Sequence, residues 1–195
     1  MPNLSGRLAT ILVITGLLTG CQPPTPPPTP VPSYRCTPEA GGTEFDCTPH
    51  QHDEMITKDK LYTEAETVYR KFFEEDARIY RVGGIDEPTP ALLETSHGQF
   101  IQDSMELYRG LLADARRLDG DVRLVSLLRR PGIAKESSLV VMAACTDARS
   151  ARVLEHGKEV GRGYLIEELI YFGRFDGALK IQGADGQQEG KCAES

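Results

Sequence analysis

Basic charge is scarce in this chain of 195 residues. It has 22 lysines and arginines against 29 aspartates and glutamates, a formal net charge of -7. That balance excludes a general affinity for nucleic acid, which needs clustered cations against phosphate. It equally excludes a polybasic hold on anionic lipid. Long apolar runs are missing as well. The run over residues 8–19 stops at twelve, short of the roughly 20 that a bilayer-spanning helix requires. Histidine occurs at four positions only, His50, His52, His97 and His156, without HExxH spacing, and no two cysteines form CxxC. The usual sequence marks of a zinc site are therefore absent. There is no Gly-rich phosphate loop, no GxSxG elbow and no Cys-His pairing, which leaves nucleotide chemistry and serine or thiol hydrolysis without a motif.

What is present begins at the N-terminus. Residues 1–7 carry one base, Arg7, and no acid; a short apolar stretch of Leu8, Ala9, Ile11, Leu12, Val13, Ile14, Leu17 and Leu18 follows. This is the layout of a secretory signal peptide. It ends in Leu18-Thr19-Gly20-Cys21, which resembles the bacterial lipobox. The resemblance implies that the Cys21 thiol receives a diacylglyceryl group and that cleavage makes Cys21 the first residue of the mature chain. Two acyl chains anchor stably where one is marginal, because each buried methylene contributes about 0.8 kcal/mol. Loss of Arg7 with the leader would take the basic side chains from 22 to 21 against 29 acids, a formal charge of -8. A chain this acidic needs the lipid to remain at a membrane. The expected location is the extracytoplasmic face of the cell membrane.

Residues 22–33 read QPPTPPPTPVPS, with seven prolines in twelve residues. Proline fixes φ and removes the backbone donor. The segment should be a stiff polyproline II spacer of very roughly 35 Å. The chain therefore divides into a leader (1–20), a lipidated cysteine with a Pro-rich linker (21–33) and a folded domain (34–195).

With Cys21 assigned to lipid, four cysteines remain: Cys36, Cys47, Cys145 and Cys192. An even number in an exported chain reads as two disulfides, and four cysteines allow three pairings. Cys36 and Cys47 flank a short segment containing Gly41-Gly42 that can fold back on itself, which pairs Cys145 with Cys192. Metal binding is the rival reading. His50 and His52, beside Asp53 and Glu54, form its best case, but a polar helix entry is the better reading of them.

From Thr57 the pattern is helical, with Leu61, Ala65, Val68 and Phe72 on a stripe widened by Tyr62, Tyr69 and Phe73. Gly83-Gly84 and Pro88-Thr89-Pro90 interrupt it, and a short helical piece is expected over 91–94. A second long helix is expected over 96–118, capped by Ser96, with Ile101, Met105, Tyr108, Leu112 and Ala115 as its stripe. Asp103 falls off that stripe and should face water. After Asp119-Gly120 the period becomes two. Strands are expected over 122–130, 139–145, 151–154 and 163–175, with a turn at His156-Gly157 and a hairpin at Asp176-Gly177 returning through Leu179 and Ile181. Helices followed by an antiparallel meander give an α+β fold.

The order resembles the NTF2-like (cystatin-like) superfamily, and specifically a group of exported actinobacterial lipoproteins with that fold. The resemblance rests on Cys36-Thr37-Pro38-Glu39-Ala40-Gly41-Gly42, on residues 62–69 of the first helix, on 140–147 ending Cys145-Thr146-Asp147, and on 171–186 closing Gly183-Ala184-Asp185-Gly186. It implies a cone: N-terminal helices packed on a curved antiparallel sheet of about four strands, lined by Tyr62, Tyr69, Phe72, Met105, Tyr108 and Met142. Such cones house ketosteroid isomerases and polyketide cyclases, and also many members without chemistry. An isomerase needs an inward carboxylate and a tyrosine donor in an apolar pocket. Of Glu167 and Glu168, one must point inward on an alternating strand. No catalytic constellation, metal or cofactor is expected. The leading expectation is a non-enzymatic module that binds an envelope protein or a small apolar ligand. An isomerase-like or cyclase-like enzyme and an accessory subunit, dimerising through the sheet, are the alternatives.

Overall fold

The computed structural model describes residues 33–135, 137–188 and 191–192. The leader, Cys21 and the Pro-rich linker up to residue 32 lie outside the described residues. From Ser33 onward the chain forms one compact unit.

A two-stranded ribbon opens the domain, β1 (Tyr34–Cys36) against β2 (Phe45–Cys47). The Cys36–Cys47 disulfide closes it, with the two Cα atoms 5.9 Å apart. Helix α1 (Pro49–Val82) follows at once. It begins eight residues before the expected Thr57 because Thr48 sets up a capping box: its side chain accepts from the Gln51 amide while the Gln51 side chain accepts from the Thr48 amide. Pro49 adds the preset φ that suits a first helical position. Thirty-four residues make a rod of about 50 Å. Gly83 ends it in the left-handed conformation, donating its N–H to the Ile79 carbonyl.

Helix α2 (Pro90–Thr95) is one short piece that packs on α1, and α3 (Gly98–Ala113) follows it. The expected N-cap at Ser96 is corrected. Ser96 is the C-cap of α2 and makes a parallel bridge to Ile181, with its hydroxyl buried and unpartnered; His97 caps α3 without a side-chain bond. The far end also moves. Ala115 takes a positive φ of 48°, and residues expected to extend the helix become strand β3 (Arg116–Asp119). They do so because β6 (Arg152–Glu155) offers antiparallel partners in register, Arg116 opposite Glu155 and Asp119 opposite Arg152.

The strands form more than the one sheet expected. A four-stranded antiparallel sheet has the order β4 (Arg123–Arg129), β5 (Val140–Asp147), β8 (Leu165–Phe175), β9 (Ala178–Gln188). A separate three-stranded sheet has the order β3, β6, β7 (Lys158–Arg162). The fold is α+β, with a long helix packed on antiparallel sheets.

The core lies between the helices and one face of the larger sheet. Tyr62, Ala65, Tyr69, Phe72 and Ile79 of α1 meet Met105, Tyr108 and Leu111 of α3, Val140, Met142 and Ala144 of β5, Ile170 and Phe172 of β8, and Leu179 and Ile181 of β9. Each large apolar side chain so buried contributes about 1.5–3 kcal/mol. Ion pairs fix α1 on the sheet: Asp59 with Arg129, and Glu64 with Arg174 at 2.8 Å. The opposite face of the sheet is covered too. Val141, Ala143 and Cys145 are buried there, and Cys145 is disulfide-bonded to Cys192.

Two glycines test the packing in opposite directions. A Cβ on Gly84, at φ +93°, would lie 2.1 Å from the Tyr108 carbonyl oxygen, whereas one on Gly110 would meet nothing. Gly84→Ala should therefore cost at least about 2 kcal/mol, while Gly110→Ala, inside α3, should stabilise by about 0.5–1 kcal/mol. Urea unfolding of the two variants measures both.

Candidate functional site

The apolar stripe of α1 carries an acid. Asp76 follows Phe72 by four residues and precedes Tyr80 by four, so helical spacing aims it at α3 and β8. The Tyr108 hydroxyl of α3 donates to Asp76 Oδ1 at 2.6 Å. Tyr80 stands edge-on to Tyr108, with ring centroids 6.2 Å apart. Glu168 enters from β8, on the face that carries Ile170 and Phe172 into the core. Across the sheet it pairs with Ala144 on one side and Gly186 on the other. A Cβ on Gly186 would lie 2.8 Å from Glu168 Cγ, so glycine on β9 is what leaves room for this carboxyl.

Two carboxyls thus share a poorly solvated region, and among the described residues no ion pair joins either to a cation. Burial, reinforced by the Glu168 charge, pushes Asp76 up to about 7, against the opposing effect of the Tyr108 hydrogen bond. Burial raises Glu168 as well. Burial also drives the phenols of Tyr69, Tyr80 and Tyr108 upward, each with the Asp76 charge adding to it. A carboxyl that titrates near neutrality, in contact with a tyrosine donor, can exchange a proton or bind a hydrogen-bonding group.

The residues expected to line a cavity, Tyr62, Tyr69, Phe72, Met105, Tyr108 and Met142, all fall in the core cluster. Of these, Tyr108 is the one that hydrogen-bonds Asp76. Tyr62 instead donates to Glu39 Oε2 at 3.4 Å, under the Arg129 guanidinium, and burial pushes it up to about 12. Asp103 is exposed and accepts from Gln99. Glu167 points to the other face, 3.9 Å from Arg130. His50 lies 3.4 Å from Glu54, while the His52 ring packs at a tilt against Tyr34. Among the described residues no three His, Cys, Asp or Glu side chains converge as a metal site, and no helix is long and apolar enough to cross a membrane.

A second concavity lies away from this cluster. It occupies about 640 Å³ between the disulfide-closed ribbon and the start of α1, with Glu39, Phe45, Asp53, Glu54, Met55 and Leu61 among its walls. Comparison with known proteins adds no assignment to either place: no family model matches the chain, and no curated protein matches it.

Sequence reading missed Asp76, although the signal was there. The stripe Tyr62, Ala65, Tyr69, Phe72 passes through position 76, and an acid on such a stripe is the exception that marks a site.

The raised Asp76 has a consequence for stability. Its carboxyl prefers the protonated form when folded, so the domain should gain stability as pH falls from above 7 towards 4. Below about 4 the balance reverses, because Glu75, Asp147, Glu155 and Asp185, held low chiefly by Arg78, Arg149, Arg116 and Lys135, begin to lose their partners. Stability should peak near pH 5. Asp76→Asn should flatten the limb between pH 5 and 8 and raise stability at pH 8 by on the order of 2–4 kcal/mol. Thermal melts across that range check this; an unchanged slope would remove Asp76 as its cause.

Proposed function

We propose that the protein is a lipid-anchored, extracytoplasmic module of NTF2-like type, which binds a partner in the cell envelope without catalysing a reaction. The observation that carries this reading is the division of labour inside the domain. Met105, Met142 and Phe72, which would have to retreat to open a ligand chamber, belong to one continuous core cluster, while the open concavity sits on the outside, at the ribbon. Binding chemistry is thus available at the surface without disturbing the core. The helices-then-meander order, with α1 laid on the four-stranded sheet, supports the NTF2-like resemblance. The two disulfides accord with export through the leader at residues 1–20 and lipidation at Cys21. The Pro-rich linker over 21–33 would hold the domain off the headgroups.

A second reading has one specific observation in its favour. The Asp76–Tyr108 pair supplies the inward carboxylate and phenol that an isomerase-like or cyclase-like enzyme acting on a hydrophobic molecule requires. Dimerisation through the sheet, as an accessory subunit would use it, finds less support. The apolar residues of the outer face, Val141, Ala143 and Tyr171, are already buried within the chain. The surface above Tyr171 is occupied by the Lys135 amine, which also pairs with Asp185 at 2.8 Å.

Anchoring is directly measurable. Mass spectrometry of the mature N-terminus should show a chain that begins at Cys21 and carries a diacylglyceryl group, and Cys21→Ala should move the protein from the membrane fraction to the soluble fraction. A chain still beginning at Met1, or an unmodified Cys21 thiol, would overturn the tether.

A further inference from the structure

The groove beside the ribbon is a place where apolar surface and negative charge meet on a rigid frame. One wall is the ribbon, closed by Cys36–Cys47. The other is the first three turns of α1, held in place by the Thr48–Gln51 capping box. The two walls meet at Thr48, so the shape is set before any ligand arrives. The Tyr34 ring of the ribbon further packs, tilted by 45°, against His52 of α1, with centroids 4.8 Å apart. Pre-organisation of this kind lowers the cost of binding.

The chemistry of the lining is lopsided. Phe45 keeps 41% of its surface exposed, and half-buried Met55 and Leu61 continue the apolar strip. Glu39, Asp53 and Glu54 stand around it. One lysine, Lys58, shares the groove, and it is engaged. The Lys58 amine donates to the Leu139 carbonyl at 3.1 Å, and His50 is turned to Glu54. A volume of about 640 Å³ lies within the range of ligand pockets. An exposed aromatic ring rimmed by carboxylates favours a group that is apolar along its length and positive at its end.

We infer that this groove docks a cationic peptide segment of an envelope protein, in which a bulky apolar side chain sits against Phe45 and a neighbouring lysine or arginine pairs with Glu39 and Asp53. The inference rests on the proposed binding role and names the partner's chemistry. Charge complementarity carries it: after loss of the leader the chain has the formal charge of -8 derived above, and the apolar strip lies within its acidic surface, not apart from it. The attraction should be salt-sensitive, because the carboxylates sit at an open rim.

The test uses the full chain and two synthetic peptides, acetyl-Lys-Phe-Lys-Leu-Lys-amide and acetyl-Glu-Phe-Glu-Leu-Glu-amide, titrated by NMR at low and at physiological salt. The cationic peptide should bind saturably, shift the Phe45 and Leu61 resonances, and prefer the protein over its acidic counterpart by at least about tenfold. Glu39→Gln with Asp53→Asn, and separately Phe45→Ser, should each weaken binding by about tenfold or more. Thermal melts show whether either variant unfolds; because Glu39 also accepts from Tyr62 of the core, Asp53→Asn alone, at an exposed site, is measured beside the double variant and should weaken binding in the same direction. Equal binding of both peptides, no saturable binding at low salt, or binding unchanged in both variants would overturn the inference. The last outcome would leave only diffuse attraction to an acidic surface. Failure of the underlying role is distinguishable. With a photo-crosslinker placed at Phe45 and at Val160 in cells, capture of a partner at Val160 alone would keep the binding role and remove this groove, whereas capture at neither would count against both.

Discussion

The folded domain depends on one contact, the apolar stripe of α1 laid along the inner face of the four-stranded sheet. Tyr62, Tyr69, Phe72 and Ile79 reach the sheet and α3 from a single helix, and the ion pairs of Asp59 and Glu64 with Arg129 and Arg174 set its position along the strands. Exposed pairs of this type contribute little energy on their own. Their part is registry, while the stripe supplies the stability. The ribbon hangs on the same helix through Thr48, and α3 meets its end at Gly84, where only a missing Cβ permits the approach.

That contact also explains why an acid can persist in the interior. Asp76 would be costly in an apolar environment, and so would Glu168. The Tyr108 hydroxyl supplies Asp76 with one strong hydrogen bond, and protonation relieves the rest near neutral pH. The packing of the helix therefore carries a built-in cost, one that stabler alternatives such as asparagine would avoid. Retaining it fits either a role in binding or the proton chemistry of the second reading. The groove at the ribbon has no such cost, since its carboxylates lie at an open rim.

The sequence was most legible where periodicity and turn chemistry agree. Asp176-Gly177 does form the tight turn between β8 and β9, and the apolar run expected at 139–145 falls in the buried strand β5 (Val140–Asp147) except for the exposed Leu139 before it. Both disulfides join the cysteines that chain proximity had paired. Legibility failed where a polar local signal outweighed apolar rhythm. The Thr48–Gln51 box starts α1 within a stretch of His, Asp and Glu that reads as a polar approach. Residues 116–118 look helical but pair with β6, because tertiary partners override propensity. Strand β7, Lys-Glu-Val-Gly-Arg, has no apolar alternation to announce it; its charges suit an exposed edge. Of the acidic and phenolic cluster, Tyr108 and Glu168 were visible as candidates. Asp76 was not, since attention to apolar positions passes over the one polar residue on their line.

On the proposed reading, the domain is a solid body on a lipid tether, and its function is carried by its surface. The claim that tests this most directly concerns the interior. Xenon titration of the full chain, followed through the methyl resonances of Met105 and Met142, reports whether an apolar chamber exists between helix and sheet. A packed core predicts small shifts that grow linearly with xenon pressure. Shifts that saturate at both methyls would reveal a chamber, contradict the packed interior and return the Asp76–Tyr108 pair to the centre of the protein's chemistry.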